Sequence, residues 1–387
     1  MAHSKLPNVG TTIFTVMSRL AADLGAVNLG QGFPDYPIDG RLAELVHQAM
    51  LEGHNQYAPM IGVTLLREQI SLKIARYYGV APNPETEVTV TLGATEAIYS
   101  TIQALVGAGD EVIVFDPSYD SYEPAIQLAG ARCLHARMLA PLFRPDWDEV
   151  RSLLTDRTRL VIINSPQNPA CTCLSALDLQ TLAELLRGRD CRVLADEVYE
   201  HVVFDGQRHQ SVLAHPELRE RSVAVYSFGK TLHATGMRIG YAIAPATLTT
   251  ELRKVHQFNT FSIPTSLQQA IAVYLQERPD CGRDLPAFFQ AKRDLLAGLL
   301  KDSALRVVPA AGTYFQLMDY SAVADVQDVL MAERLVRDAG VATIPLSVFY
   351  QDPPKLRLLR MCFAKRESTL EAGARRLISW AGGASHS

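Results

Sequence analysis

Five short apolar runs constrain this chain more than any other feature. They are Glu87-Val88-Thr89-Val90-Thr91-Leu92, Glu111-Val112-Ile113-Val114-Phe115, Leu160-Val161-Ile162-Ile163, Arg192-Val193-Leu194-Ala195 and Val223-Ala224-Val225-Tyr226. A strand with one wet face alternates apolar and polar residues. These runs are nearly continuous and rich in β-branched residues, the pattern of strands covered on both faces. Stretches with helical spacing, such as Ala94 to Leu105 and Leu177 to Leu186, lie between several of them. Strands alternating with helices predict an α/β fold with a largely parallel sheet flanked by helices.

Upstream, Leu42 to Met50 and Leu65 to Tyr78 read as helices, each followed by glycine, at Gly53 and Gly79. From about Leu285 the pattern changes: a long helix from Ala287 to Leu300, short strands around Arg306-Val307-Val308 and from Leu356 to Phe363, and a closing helix from Leu370 to Ile378. This predicts a smaller α+β domain, with turn chemistry for the boundary between Arg278 and Gly282. A chain of 387 residues exceeds the size at which one core usually stops growing, so two domains are expected.

With 48% hydrophobic and 20% charged residues the chain can fill large cores and keep a wet surface. The formal net charge is -4 and lysine and arginine do not cluster, which argues against a nucleic-acid surface and for small-molecule partners. Met1 to Lys5 carry no apolar block, and no run of about 18 apolar residues suggests a membrane span. A cytoplasmic location is expected. Of the six cysteines only Cys171 and Cys173 lie close together, without zinc-site spacing, so they read as thiols in a reducing compartment and no metal is expected.

Parallel α/β sheets bind ligands beyond the carboxyl ends of their strands. The residues at those positions are Gly93-Ala94-Thr95-Glu96-Ala97, Asp116-Pro117-Ser118-Tyr119, Asn164-Ser165-Pro166-Gln167-Asn168-Pro169, Asp196-Glu197-Val198-Tyr199 and Ser227-Phe228-Gly229-Lys230. The fold predicts that they converge on one polar site.

In order, together with Asn28 to Asp35, Asn55-Gln56-Tyr57, Thr235 to Tyr241 and Arg360-Met361-Cys362-Phe363, this series resembles the class I/II aminotransferases of pyridoxal-phosphate fold type I. The similarity covers nearly the whole chain and is greatest to the branch containing kynurenine (glutamine) and methionine aminotransferases. It implies a large domain with a mostly parallel seven-stranded sheet flanked by helices, and a smaller α+β domain. The division expected is 1–32 as an N-terminal arm with part of the small domain, 33–281 as the cofactor-binding domain, and 282–387 as the small domain.

The resemblance also implies roles that physical chemistry supports. A lysine amine forms a Schiff base with an aldehyde cofactor and then moves a proton, a role that falls to Lys230. Asp196 would keep the pyridine nitrogen of pyridoxal 5'-phosphate protonated. Tyr199 and Asn168 would donate to its phenolic oxygen, and Tyr119 would stack on its ring. Ala94 and Thr95 at a helix start, with Ser227 and Arg238, would hold the phosphate. Tyr57 would reach it from the neighbouring subunit of a homodimer, with Phe261 also supplied in trans. Arg360 would grip the substrate carboxylate through its planar fork, in preference to Arg357 on the opposite strand face, while Gly32 and Phe14 would contact the substrate.

The series departs from the family at three places. Asn168-Pro169-Ala170-Cys171 stands where relatives often have Asn-Pro-Thr-Gly, Phe14 where some have tryptophan, and Ser347 to Tyr350 lack a glycine run. The activity implied is transfer of an amino group from methionine, an aromatic amino acid, glutamine or kynurenine to a 2-oxo acid, with ping-pong kinetics. A carbon–sulfur β-lyase and a non-enzymatic cofactor-binding regulator are the alternatives.

Overall fold

The computed structural model describes residues 4–384. The first three residues of the expected N-terminal arm and the last three of the expected small domain lie outside the described residues.

All five apolar runs form strands: Val88–Thr91, Glu111–Asp116, Thr158–Asn164, Arg192–Asp196 and Ser222–Ser227. Their neighbours explain their composition. Val223 and Val225 point into one core with Val112, Val114 and Leu194, while Ala224 and Tyr226 point into another with Ile113 and Val193. Successive side chains of a strand face opposite ways, so a sheet with a core on each side demands apolar residues at nearly every position.

The spatial order is Val88–Thr91, Gly240–Ile243, Ser222–Ser227, Arg192–Asp196, Thr158–Asn164, Glu111–Asp116, Arg132–Leu139 and Arg144–Pro145. Pairing is parallel from Ser222–Ser227 to Arg132–Leu139 and antiparallel around Gly240–Ile243. Counting the two-residue strand Arg144–Pro145, the sheet has eight strands, one more than the expected seven. That last strand pairs with Met138 and Leu139 at the sheet edge, where a proline's missing N–H is tolerated.

Register positions the functional end. Asn164 lies opposite Asp196, Asp196 opposite Val225, and Ser227 opposite Gly240. The carboxyl ends of Thr158–Asn164 and Arg192–Asp196 are therefore level, and Ser222–Ser227 runs two residues beyond them. Helix Gly93–Leu105 starts at this same end and covers one face through Ala97, Ile98 and Ile102.

A second, antiparallel sheet combines Arg306–Val308, Phe315–Asp319, Leu358–Cys362 and Ile344–Pro345, with helices Leu285–Leu300 and Glu367–Ala384 packed on each other. Val27–Asn28 pairs in parallel with Val341–Ala342, which ties the N-terminal segment to the C-terminal part of the chain. Helix Ile13–Asp23 was not expected from the sequence. Its apolar residues Ile13, Val16, Met17, Leu20 and Ala21 recur at helical spacing, and Met17 and Ala21 are buried, so the period was present in the sequence and was overlooked. Among the described residues no helix is long and apolar enough to cross a membrane.

Candidate active site

Twelve of the fourteen site residues expected from the sequence line one cavity of about 230 Å³ beyond the strand ends; Tyr57 and Phe261 are the exceptions. At one end stands the amino terminus of helix Gly93–Leu105, where backbone N–H groups lack partners within the helix. Gly93 has φ +71°, and a Cβ there would lie 2.8 Å from Arg238 Nη2, so the guanidinium sits over the helix start. A Cβ at Gly240 would lie 2.7 Å from the Ala94 nitrogen. Only glycine allows this close approach, and the result is a concave cradle with Ser227 and Arg238 on its rim. Arg238 itself is left-handed, at φ +56°, and Nη1 donates to the Thr235 carbonyl at 3.2 Å.

Lys230 follows from the short helix Phe228–Thr231 that continues strand Ser222–Ser227. Burial pushes its amine down to about 8; Cys362 and Asp196 oppose this, and Arg238 and Arg360 add to it. Nζ donates to the Tyr314 hydroxyl at 2.7 Å. Asp196, 4% exposed, ends the neighbouring strand. Burial pushes its carboxyl up to about 6, against donated bonds from the Tyr122 hydroxyl at 2.6 Å and the Val198 N–H at 3.4 Å and the charge of Lys230. Tyr199 is buried, with its ring edge-on to Tyr314 at 5.0 Å, and burial raises its hydroxyl far above the usual phenol range.

On the far side Arg360 is 1% exposed, on strand Leu358–Cys362. Its guanidinium lies 3.9 Å from the Phe315 ring centroid, 5.1 Å from Phe14 and 5.5 Å from Phe349. Nη1 donates to Asn168 Oδ1 and Nη2 to the Gly30 carbonyl, while Nε is buried without a partner. A buried cation with an unsatisfied N–H is costly by itself and suited to an incoming carboxylate. Arg357 is elsewhere, bonded to the exposed Asp325.

The sequence matches the aminotransferase class I and II family over residues 25–377. This chain is a class I and II aminotransferase. It is 52% identical to the methionine aminotransferase of Escherichia coli (strain K12) over 97% of each chain, and 31% identical to mouse kynurenine–oxoglutarate transaminase 1 over 98% of this chain and 97% of that one. A crystal structure from Escherichia coli, reported with a methionine aminotransferase function, superposes with a TM-score of 0.95 at 51% identity, covering 98% of this chain and 99% of that one.

Aminotransferases of this family generally depend on pyridoxal phosphate, and the cavity of this aminotransferase fits that group. Its lining brings together an anion cradle at a helix start, a lysine amine and a buried carboxylate at the end of the neighbouring strand. Among the described residues no cluster of His, Cys, Asp and Glu could hold a metal ion.

Tyr57 is 84% exposed, edge-on to Phe261 at 5.6 Å, and within one chain neither lines the cavity. Phe349 is buried behind Arg360 and lines an adjoining cleft that Tyr119 shares. The turn that lacks the family glycine keeps the glycine-like conformation: Cys171 has φ +62° and its thiol donates to the Pro169 carbonyl at 3.2 Å.

The sequence placed Asn164 among the converging strand ends but gave it no role, and Tyr122 and Tyr314 were missed. Asn164 Oδ1 accepts from the Asn168 N–H and its Nδ2 donates to the Asp196 carbonyl, both at 2.8 Å, so one side chain couples two strand ends. Its position at a strand end was a usable signal. Tyr314 precedes strand Phe315–Asp319 and Tyr122 opens the short helix Tyr122–Leu128, neither of which had been anticipated, so neither carried one.

Proposed function

We propose that this aminotransferase takes the amino group from an apolar, sulfur-containing or aromatic amino acid, methionine before others, and passes it to a 2-oxo acid through pyridoxal 5'-phosphate. One observation carries the substrate choice: the Arg360 guanidinium is set among Phe14, Phe315 and Phe349. Among the described residues lining the cavity, the Lys and Arg side chains are Lys230, Arg238 and Arg360. Arg238 belongs to the helix-start cradle and Lys230 to the central position, which leaves Arg360 for the α-carboxylate and none of the three for a side-chain carboxylate. The 52% identity to a methionine aminotransferase points the same way.

When bound, pyridoxal phosphate supplies an aldehyde that takes up the amino group and a protonated ring that draws electrons from Cα. The chain's own residues do the rest. The Ala94 and Thr95 end of the helix, Ser227 and Arg238 hold the phosphate. Asp196, anionic near neutral pH with its carboxyl at about 6, favours the protonated ring nitrogen. Asn168 keeps its amide N–H groups free to donate because Oδ1 is taken by Arg360. Tyr199 would donate beside it, and Tyr119 would stack on the ring.

Lys230, with its amine at about 8, has a sizeable neutral fraction near neutral pH, so it can act as nucleophile and as proton carrier at Cα. Arg360 orients the carboxylate, Gly32 offers its backbone, and Phe14 bounds the side chain. Tyr57 and Phe261, exposed and in mutual contact, are assigned to the site of a second copy in a homodimer. The division into 1–32, 33–281 and 282–387 and a cytoplasmic location belong to the same reading; six free cysteines suit a reducing compartment.

The test is a panel of amino donors crossed with oxo acids, scored as kcat/KM. Methionine and aromatic donors are expected to exceed aspartate by at least ~10²-fold; aspartate as the best donor would overturn the substrate assignment.

A further inference from the structure

The proposed chemistry requires the Lys230 amine to leave its covalent bond and then act from a defined place. A lysine side chain has four flexible carbons and its released amine needs an acceptor in a buried site. Tyr314 supplies one. Lys230 Nζ donates to the Tyr314 hydroxyl at 2.7 Å, and that hydroxyl donates to the Gly32 carbonyl at 2.5 Å. The direction is fixed. A carbonyl only accepts, so in this bond the phenolic hydrogen points to Gly32, and the oxygen presents its lone pairs to Lys230 and to the neighbouring Tyr199 hydroxyl.

Tyr314 is rigidly mounted. It is 1% exposed, with its ring edge-on to Tyr199 at 5.0 Å and to Phe315 at 4.9 Å. Gly32 is fixed as well, because a Cβ there would stand 2.6 Å from Phe315 Cζ. The backbone assigned to substrate contact therefore sets the direction of the hydroxyl that holds the amine.

We infer that Tyr314 is the positioning residue for the free Lys230 amine, accepting its hydrogen bond while the Gly32 carbonyl locks the phenol in that orientation; this rests on the proposed role of Lys230. Tyr314 does not itself carry the proton, since its own hydrogen is engaged with a group that cannot be protonated in its place.

The test is Tyr314→Phe in the full chain, with thermal melting to verify folding. The readout is the pH dependence of Lys230 acetylation by an N-hydroxysuccinimide ester, followed by peptide mass spectrometry. It is made on protein without cofactor and on protein loaded with pyridoxamine phosphate, where the amine is free. The acceptor favours the charged amine, so its loss is expected to lower the midpoint of Lys230 by about one pH unit. In turnover, kcat is expected to fall ~10-fold or more with the donor KM changed less than about twofold.

An unchanged midpoint in folded Tyr314→Phe overturns the inference. If that variant does not fold, 3-fluorotyrosine at position 314 decides: it keeps the shape and the O–H but weakens the oxygen as acceptor, and a smaller downward shift supports the inference while none overturns it. A shifted midpoint in protein that transaminates no amino-acid and oxo-acid pair would sink the proposed function and leave the positioning role standing. Transamination with an unmoved midpoint would do the reverse.

Discussion

Arg360 Nη1 donates to Asn168 Oδ1 at 2.5 Å across a sequence separation of 192 residues. The bond joins strand Leu358–Cys362 to the turn after strand Thr158–Asn164, and so joins the residue assigned to the substrate carboxylate with one assigned to the cofactor. It also turns the Asn168 amide so that its N–H groups face away from the guanidinium.

Arg360→Lys is expected to lower kcat/KM for methionine by ~10²-fold or more, because an ammonium cannot present a planar fork and loses charged hydrogen bonds. Steady-state kinetics with the donor varied checks it, the loss appearing chiefly in the donor's KM. An unchanged KM would remove Arg360 from carboxylate binding.

Asp196 predicts a conflict between stability and function. Its folded carboxyl is at about 6, above the 3.8 of the free group, so the folded state binds the proton more tightly. Its best contribution to stability lies below pH 3.8 and is lost as pH rises through about 6. Asp196→Asn is therefore expected to stabilise the cofactor-free protein at pH 7 by up to ~3 kcal/mol while abolishing transamination. Denaturant midpoints at pH 7 check the first part; a midpoint at or below that of the wild type would contradict it.

Beneath the sheet, Lys73 Nζ and Glu200 Oε1 pair at 2.5 Å, both nearly inaccessible, with the Tyr78 hydroxyl donating to the same carboxylate. Burial alone would raise the Glu200 carboxyl, but Lys73, His201 and Tyr78 outweigh it and hold the group at about 2. Its contribution is present above about pH 4.5 and disappears as pH falls towards 2. Lys73→Met leaves an unpaired buried carboxylate and is expected to cost ~3–5 kcal/mol at pH 7. The deficit should shrink at pH 4.5, where Glu200 of the variant takes up a proton. Equal deficits at both pH values would count against a charge-based role.

Cys171 offers a stability test without charge. A left-handed non-glycine residue is strained by ~1–2 kcal/mol. Cys171→Ala keeps that strain and loses the buried sulfur, whereas Cys171→Gly removes one more carbon and releases the strain. The glycine variant is expected to melt at or above the alanine variant; a clearly lower melting temperature would mean the turn is unstrained.

The strands of the parallel sheet were legible because both faces are buried, and the residues at their ends were legible with them. Arg132–Leu139 was not, since it lies towards the sheet edge with alternating exposure and polar side chains at Arg132, His135 and Arg137. The nominated site residues other than Tyr57 and Phe261 line one cavity, but the contacts that orient them were invisible. Lys230 meets Tyr314 over 84 residues and Asp196 meets Tyr122 over 74. Such pairs arise from packing between elements, for which local spacing holds no signal.

Lys230 is the group assigned to receive, release and reprotonate. A single-turnover experiment tests it most directly: protein loaded with pyridoxal phosphate is mixed with methionine in the absence of any oxo acid, and the 4-methylthio-2-oxobutanoate formed is counted. One equivalent per subunit is expected from the wild type, with at least a ~10³-fold slower formation from Lys230→Ala. Formation of the oxo acid by Lys230→Ala at the wild-type rate would contradict the role of Lys230.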